Sequence, residues 1–407
     1  MGVATENLDM LGVFPTITPP NWATLATGNY PRTHGVTCFL NHTLGKRLGI
    51  TEMNWDSRRV KSELIWEAFE DEDKKAIMLN YCEAWPNRVE NSKNIFVDGT
   101  GVVPFLRSSA DFQKMVYLDE NEKAVKEIPH FIDQNSGDCV VYGDQVDEFA
   151  KADEMQNLTA HGAHFRTPPL ESEGFVIYGK SAEEEANSDV IDQIFSPLKE
   201  IRAWSTDLPE NAKEATVPLN KGTARRIAVI TASDGGKFDT VSLYVNKKEG
   251  KPIGSARVGM WSDWIYDSFL VNDKREQVAY KIRVLEIAPD GTKARLYISH
   301  IARLEDDTYF YPREIQKELF EKVGPMLYFG NFERHTELGD EITLETIEQL
   351  HDWHSEATDY LFDTNPDWQL FYIHLHSIDL ANHWYINQAV EGAHPEWERI
   401  ADVLDRV

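Results

Sequence analysis

Two spacings of apolar residues alternate along the first part of the chain. Val60, Leu64, Ile65 and Ala68 recur at helical intervals, and Ala76-Ile77-Met78-Leu79-Asn80-Tyr81 follows as an apolar-rich run. A helical period followed by a continuous run predicts a helix laid on a buried strand. That order over roughly 1–150 predicts a mostly parallel sheet with helices on both faces. Between about 150 and 205 the chain turns polar and acidic, as in Ser181-Ala182-Glu183-Glu184-Glu185-Ala186, and reads as a connecting segment with one helix near Asp189 to Ile201. From about 215 to 305 the spacing becomes that of strands. Ile227–Ile230, Val241–Val245, Lys281–Ile287 and Ala294–Ile298 predict strands, and Ala288-Pro289-Asp290-Gly291 predicts a hairpin turn. A helix is expected from Tyr311-Pro312-Arg313-Glu314, and Leu370–His376 is expected as a central strand. The pattern therefore predicts an α/β protein in three parts. These are 1–205 as the first part of the core with its connecting segment, 206–310 as an inserted antiparallel β-rich domain, and 311–407 as the second part of the core.

The length, 407 residues, exceeds what one compact core usually holds. The 68 acidic residues against 41 basic ones give a formal charge of -27, which repels nucleic-acid duplexes and anionic membrane surfaces. A phosphate substrate stays compatible with that charge, because bound metal ions reverse the local field. Cys38, Cys82 and Cys139 form no C-x-x-C pair and are odd in number, which argues against a disulfide framework or a thiolate zinc site. No apolar run approaches the length of a membrane span, and Met1 to Met10 lacks the basic start and apolar stretch of a signal peptide. Neither localisation nor oligomeric state follows from the sequence.

The most informative run is Phe14-Pro15-Thr16-Ile17-Thr18-Pro19-Pro20-Asn21-Trp22-Ala23-Thr24-Leu25-Ala26-Thr27-Gly28-Asn29-Tyr30-Pro31-Arg32-Thr33-His34-Gly35. Thr18 suits an N-cap, Pro19 and Pro20 suit a first helical turn, and Gly28 suits a helix stop. A hydroxyl at a helix start lies where backbone dipoles favour anions such as phosphate. Read alone, Thr18 is either a plain cap or a reactive hydroxyl.

The run resembles the nucleophile segment of the type I phosphodiesterase/nucleotide pyrophosphatase branch of the alkaline phosphatase superfamily, whose pattern is P-T-x-T-x-P-N-x-x-T-L-x-T-G-x-x-P-x-x-H-G. The resemblance implies an alkaline phosphatase-like fold and hydrolysis of small-molecule phosphate esters. It implies two divalent metal ions, zinc above all, and a covalent phosphothreonine formed on Thr18, which would also be a metal ligand. It further implies an Asn soon after His34-Gly35 as oxyanion donor. Asn41 is the candidate, about two residues later than the family places it, with a turn residue as the plain alternative. Pro19 has no amide hydrogen to offer phosphate, so the site would lean on Asn41 and the metals.

Asp379 and His383 stand four apart beyond the expected strand, at the sheet edge where open α/β folds bind ligands. On a helix they share one face, and a carboxylate with an imidazole suits zinc. The family carries Asp-x-x-x-His after such a strand as metal ligands; a capping Asp and a surface His are the alternative. Three further features read as decoys. Ser233-Asp234-Gly235-Gly236 is expected to be a hairpin turn, His374 and His376 core imidazoles, and Trp261-Ser262-Asp263-Trp264 packing rather than a substrate groove.

The resemblance also implies ligands that the chain does not display. An Asp-Gly strand end should precede the nucleophile, yet seventeen residues precede Thr18; an Asp-His-Gly and a further His should follow His383, yet 384–407 contain no Asp-His-Gly and only one His, His394. Glu396–Leu404 reads as the start of a next helix. The expectation is an internal fragment or incomplete gene model of a longer enzyme, which would bind zinc weakly and turn over poorly. Competing readings are a phosphonate hydrolase, a sulfatase-like enzyme (though the C/S-x-P-S-R nucleophile pattern is missing) and a non-catalytic binding protein on the same scaffold.

Overall fold

In the computed structural model the described residues are 12–42, 45, 51–97, 109–111, 113–121, 176–178, 192–220, 224–233, 236–248, 250–271, 274–306, 308–328 and 336–407; Cys139 lies outside them. From the amino terminus run α1 (Thr18–Thr27), α2 (Pro31–His34), β1 (Leu40–His42), β2 (Thr51–Met53), α3 (Ile65–Asp71), β3 (Lys75–Leu79), β4 (Ile95–Val97), β5 (Ser109–Asp111), β6 (Lys114–Asp119), β7 (Val176–Tyr178), β8 (Asp192–Pro197) and β9 (Lys199–Glu200). There follow β10 (Lys213–Leu219), β11 (Ala224–Thr231), β12 (Thr240–Tyr244), β13 (Gly254–Arg257), β14 (Ile265–Val271), β15 (Lys274–Tyr280), β16 (Ile282–Ile287), β17 (Lys293–Ile298) and β18 (Ile301–Arg303). The last elements are α4 (Glu314–Lys322), α5 (Glu337–Thr364), β19 (Trp368–Ile373), α6 (Ser377–Tyr385) and α7 (Trp397–Arg406).

The expected parallel sheet is present as β19-β3-β4, with both pairs parallel. Successive strand residues point to opposite faces, so the apolar run in β3 serves two cores. Ala76 and Met78 pack with Ala23 and Ala26 of α1 and with Leu64, Trp66 and Phe96. Ile77 and Leu79 pack on the other face with Ile315 and Leu319 of α4 and Trp353, Ala357 and Leu361 of α5. Helices therefore cover both faces. Leu370–His376 is the expected central strand, but β19 ends at Ile373 and pairs on one side only among the described residues, and Leu370–Ile373 are half-buried. A continuous apolar run reports shielding of both faces, not of both edges. The helix signalled by Val60 begins later than expected: α3 starts at Ile65 with Leu64 at its N-cap.

The β-rich part contains two antiparallel sheets, β13-β12-β11-β10-β9 and β14-β15-β18-β5, and a mixed sheet, β16-β17-β6-β8-β7, in which β6 and β8 are parallel. Strands from 109–119 and 176–200 thus join those from 213–303. The hairpin joining β16 and β17 turns at Gly291, whose φ is +70° and where an added Cβ would lie 2.8 Å from the Phe238 ring. The helix expected near Asp189 to Ile201 is instead β8 and β9. Ile194, Ser196 and Leu198 are buried at every second residue, and β8 pairs along its whole length with β6. Tertiary pairing overrides weak local preference there. Within this region Arg226 donates to both carboxylate oxygens of buried Asp267 (2.7 and 2.6 Å), and the Tyr280 hydroxyl donates to Asp267 as well (2.9 Å).

Helix α5, 28 residues long, joins the two parts. Its amino-terminal half packs Ile342 against Met115, Leu285 and Tyr297. Glu345 accepts from Arg283 (3.0 and 2.9 Å) and from the Trp261 indole (2.7 Å). Trp261 is therefore a packing residue, as expected. Among the described residues no helix is long and apolar enough to cross a membrane.

His300, after β17, is buried and accepts a hydrogen bond at Nδ1 from the Tyr328 amide (3.4 Å). Burial pushes its imidazole down to about 4. The unfolded chain takes up a proton near pH 6.5 that the folded chain refuses, so the stabilising contribution is complete above that pH and is lost as pH falls towards 4. The loss expected from this residue is about 3 kcal/mol. Urea unfolding followed across this range should show it, and His300→Asn should make the dependence shallower by this residue's share, with His354 and His376 supplying the rest.

Candidate active site

Helix α1 begins one residue earlier than expected. Its N-cap is Ile17, no side chain caps it, and Thr18 is the first helical residue. The prolines supply the reason. Were Thr18 the cap, its oxygen would have to bond the amide of the second or third helical residue; the second, Pro20, has none. The next amide, of Asn21, donates to the Ile17 carbonyl (3.4 Å). The half-buried Thr18 hydroxyl consequently makes no hydrogen bond with any described residue. The expected stop is present: Gly28 is left-handed (φ 65°), and its amide donates to the Thr24 carbonyl (2.8 Å).

Two residues of the motif that the sequence reading left without a role hold this helix. The Asn21 side chain donates to the Ile17 carbonyl (2.8 Å) and accepts from the Val13 amide (2.9 Å), bracing the loop that leads into Thr18. His34, fully buried, accepts from the Val36 amide at Nδ1 (3.2 Å), which leaves Nε2 as the donor to Thr24 Oγ1 (3.0 Å). Burial lowers its pKa and keeps it neutral. Both are fixed positions of the pattern, so the sequence flagged them; only the folded geometry assigns the work.

Asn41 lies on β1, opposite Glu52 of β2, and is not a turn residue. Its amide donates to the Oδ1 of buried Asn54 (3.0 Å), and Asn54 in turn donates to the Cys38 carbonyl (2.7 Å).

The other candidates lie at the carboxyl end of β19. Helix α6 spans Ser377–Tyr385, so Asp379 falls in its first turn and His383 in its last. Asp379 Oδ2 lies 3.6 Å from His383 Nε2 and 3.6 Å from His376 Nε2. Burial, together with His374 and His383, pushes His376 down to about 3, so its contact with Asp379 is no ion pair at neutral pH and is too long for a hydrogen bond. Among the described residues no three His, Cys, Asp or Glu side chains are grouped so as to hold a metal ion. His374 is a core residue: its ring meets Trp22 edge-on with centroids 4.7 Å apart, and Cys82 Sγ lies 3.7 Å from its Nδ1. Burial raises the Cys82 thiol, and it raises the neighbouring Glu83 carboxyl well above the usual range. Asp234 and Gly235 of the serine-containing decoy lie outside the described residues.

The Trp22–His374 contact decides how the two halves of the motif set relate. Trp22 is one helical turn beyond Thr18, and its carbonyl accepts from the Tyr81 hydroxyl (3.2 Å). Helix α1 therefore lies against the residues that follow β3 and β19, the same end of the sheet from which α6 departs.

Residues 2–164 match the type I phosphodiesterase / nucleotide pyrophosphatase family. The matched region contains Thr18 and Asn41; Asp379 and His383 lie beyond it. The match supports a hydrolase of the phosphodiesterase and nucleotide pyrophosphatase type, and with it an alkaline phosphatase-like fold. Searches of curated proteins and of solved structures each gave no match.

In this phosphodiesterase-type segment, His34 supplies two hydrogen bonds from a fully buried position. His34→Ala is expected to cost about 2–4 kcal/mol, through unpaired polar groups and a cavity. The urea midpoint measures it, and Thr24→Val should reproduce part of the loss.

Proposed function

We propose that the protein hydrolyses small-molecule phosphate esters with Thr18 as nucleophile. The observation that carries the reading is the packing of Trp22 on His374, which brings the helix headed by Thr18 to the strand end that leads into Asp379 and His383. The Thr18 hydroxyl, without a hydrogen-bond partner among the described residues, attacks phosphorus; the bond to the leaving alcohol breaks and phosphothreonine forms. Water then attacks the same phosphorus and restores the hydroxyl, releasing the remaining monoester when the substrate is a diester and phosphate when it is a monoester. Asn41 donates its amide to a non-bridging oxygen of phosphate, with Asn54 fixing its orientation.

Asp379 and His383 fit a divalent cation such as zinc in donor chemistry, an oxygen and a nitrogen 3.6 Å apart on one helical face. With Thr18 Oγ1 they are the residues that would hold the two metal ions of this reading. Bound cations would lower the cost of ionising a threonine hydroxyl and offset phosphate charge. The chain's own task is to supply the alcohol, hold it at the head of a helix stiffened by two prolines, and aim it at the strand ends.

The test is hydrolysis of a nitrophenyl phosphodiester by the purified protein. Hydrolysis should fall to background in Thr18→Ala and after chelation, and His383→Ala should lower the zinc content. Unchanged turnover in Thr18→Ala would reject the nucleophile.

A further inference from the structure

Helix α6 is held at both ends by α5. At its start, buried Ser377 pairs its hydroxyl with His351 Nε2 (2.5 Å). At its end, the hydroxyl of fully buried Tyr385 donates to Asp340 Oδ1 (2.8 Å), and Arg399 of α7 donates to the other oxygen of that carboxylate. The two contacts run in opposite directions along the helices: 377 meets 351, and 385 meets 340. Helix α6 is thus antiparallel to α5 and fixed in register along it. Asp379 and His383 lie between the two clamps, on a nine-residue helix too short to be stable alone.

We propose that His351 and Tyr385 are positioning residues for the Asp379–His383 pair. They set the rotation and height of α6, so that carboxylate and imidazole are presented together to a divalent cation. This rests on the metal reading above and names the residues that make the pair a preformed site. Ser377 and Asp340 are their partners. A pair held in place before the cation arrives binds it without the entropic cost of ordering the helix.

The experiment is zinc titration of the full chain by calorimetry, with thermal unfolding of each variant alongside. Asp379→Asn identifies the site by abolishing the binding event. His351→Ala should then weaken zinc affinity about ten-fold, and His351→Gln, which keeps a hydrogen-bonding group near Ser377, should restore most of it. Tyr385→Phe, which removes only the hydroxyl at the opposite clamp, should weaken affinity in the same direction and serves if His351→Ala fails to fold. A purely structural role would lower the unfolding temperature and leave zinc affinity unchanged. Affinity unchanged in both His351→Ala and Tyr385→Phe, with binding still lost in Asp379→Asn, overturns the proposal and leaves the metal reading standing. No zinc binding by the unaltered chain, or binding indifferent to Asp379→Asn, overturns the metal reading and the positioning role with it.

Discussion

Helix α5 is the constraint on which the arrangement depends. Its carboxyl-terminal half closes one face of the parallel sheet through Trp353, Ala357 and Leu361. Its amino-terminal half takes the Arg283 guanidinium and the Trp261 indole on one carboxylate, Glu345, and so fastens the β-rich part to the sheet. Through His351 and Asp340 it also sets α6. A single rigid rod with these three duties couples β-rich region, sheet and candidate ligand helix. A kink in α5 would disturb all three at once.

Burial beneath the strand ends disfavours the charged forms of the polar groups there. His354, on the same helix, is pushed to about 4 by burial and by His351 and His374; His376 is pushed to about 3, and burial pushes the Glu83 carboxyl well above the usual range. The chain carries a formal charge of -27. An anionic ester approaching such a protein meets net repulsion. In the proposed reading, positive charge comes from bound cations at the strand ends, which also restricts where a phosphate can settle.

The prolines at the head of α1 illustrate a local rule with a functional consequence. They preset the helical backbone, but they remove two amides of its first turn. Two of the backbone donors that make many helix starts good anion sites are therefore missing, while the axial dipole remains. At the head of the helix stands the threonine with its own amide and hydroxyl, on a helix held by Asn21 and His34.

By itself the sequence determined the motif at Phe14–Gly35 that lies within the family match, the buried parallel strand at Ala76–Leu79, four strands of the β-rich region (β11, β12, β16 and β17), the hairpin at Gly291 and the shared helical face of Asp379 and His383. Each is written in short-range spacing, where the period of apolar residues or the offset along one helix turn fixes which side chains point together. It did not determine that Asp192–Pro197 is a strand, because that segment gains its conformation from pairing with Lys114–Asp119, far away in the chain. Nor did it determine that Thr18 is helical and uncapped, that Asn41 lies on a strand against Asn54, or that Trp22 rests on His374. Only the tertiary structure decided them, because hydrogen-bond and packing partners outside one helical turn or strand, from thirteen positions apart for Asn41 and Asn54 to hundreds for Trp22 and His374, leave no periodic trace in the chain.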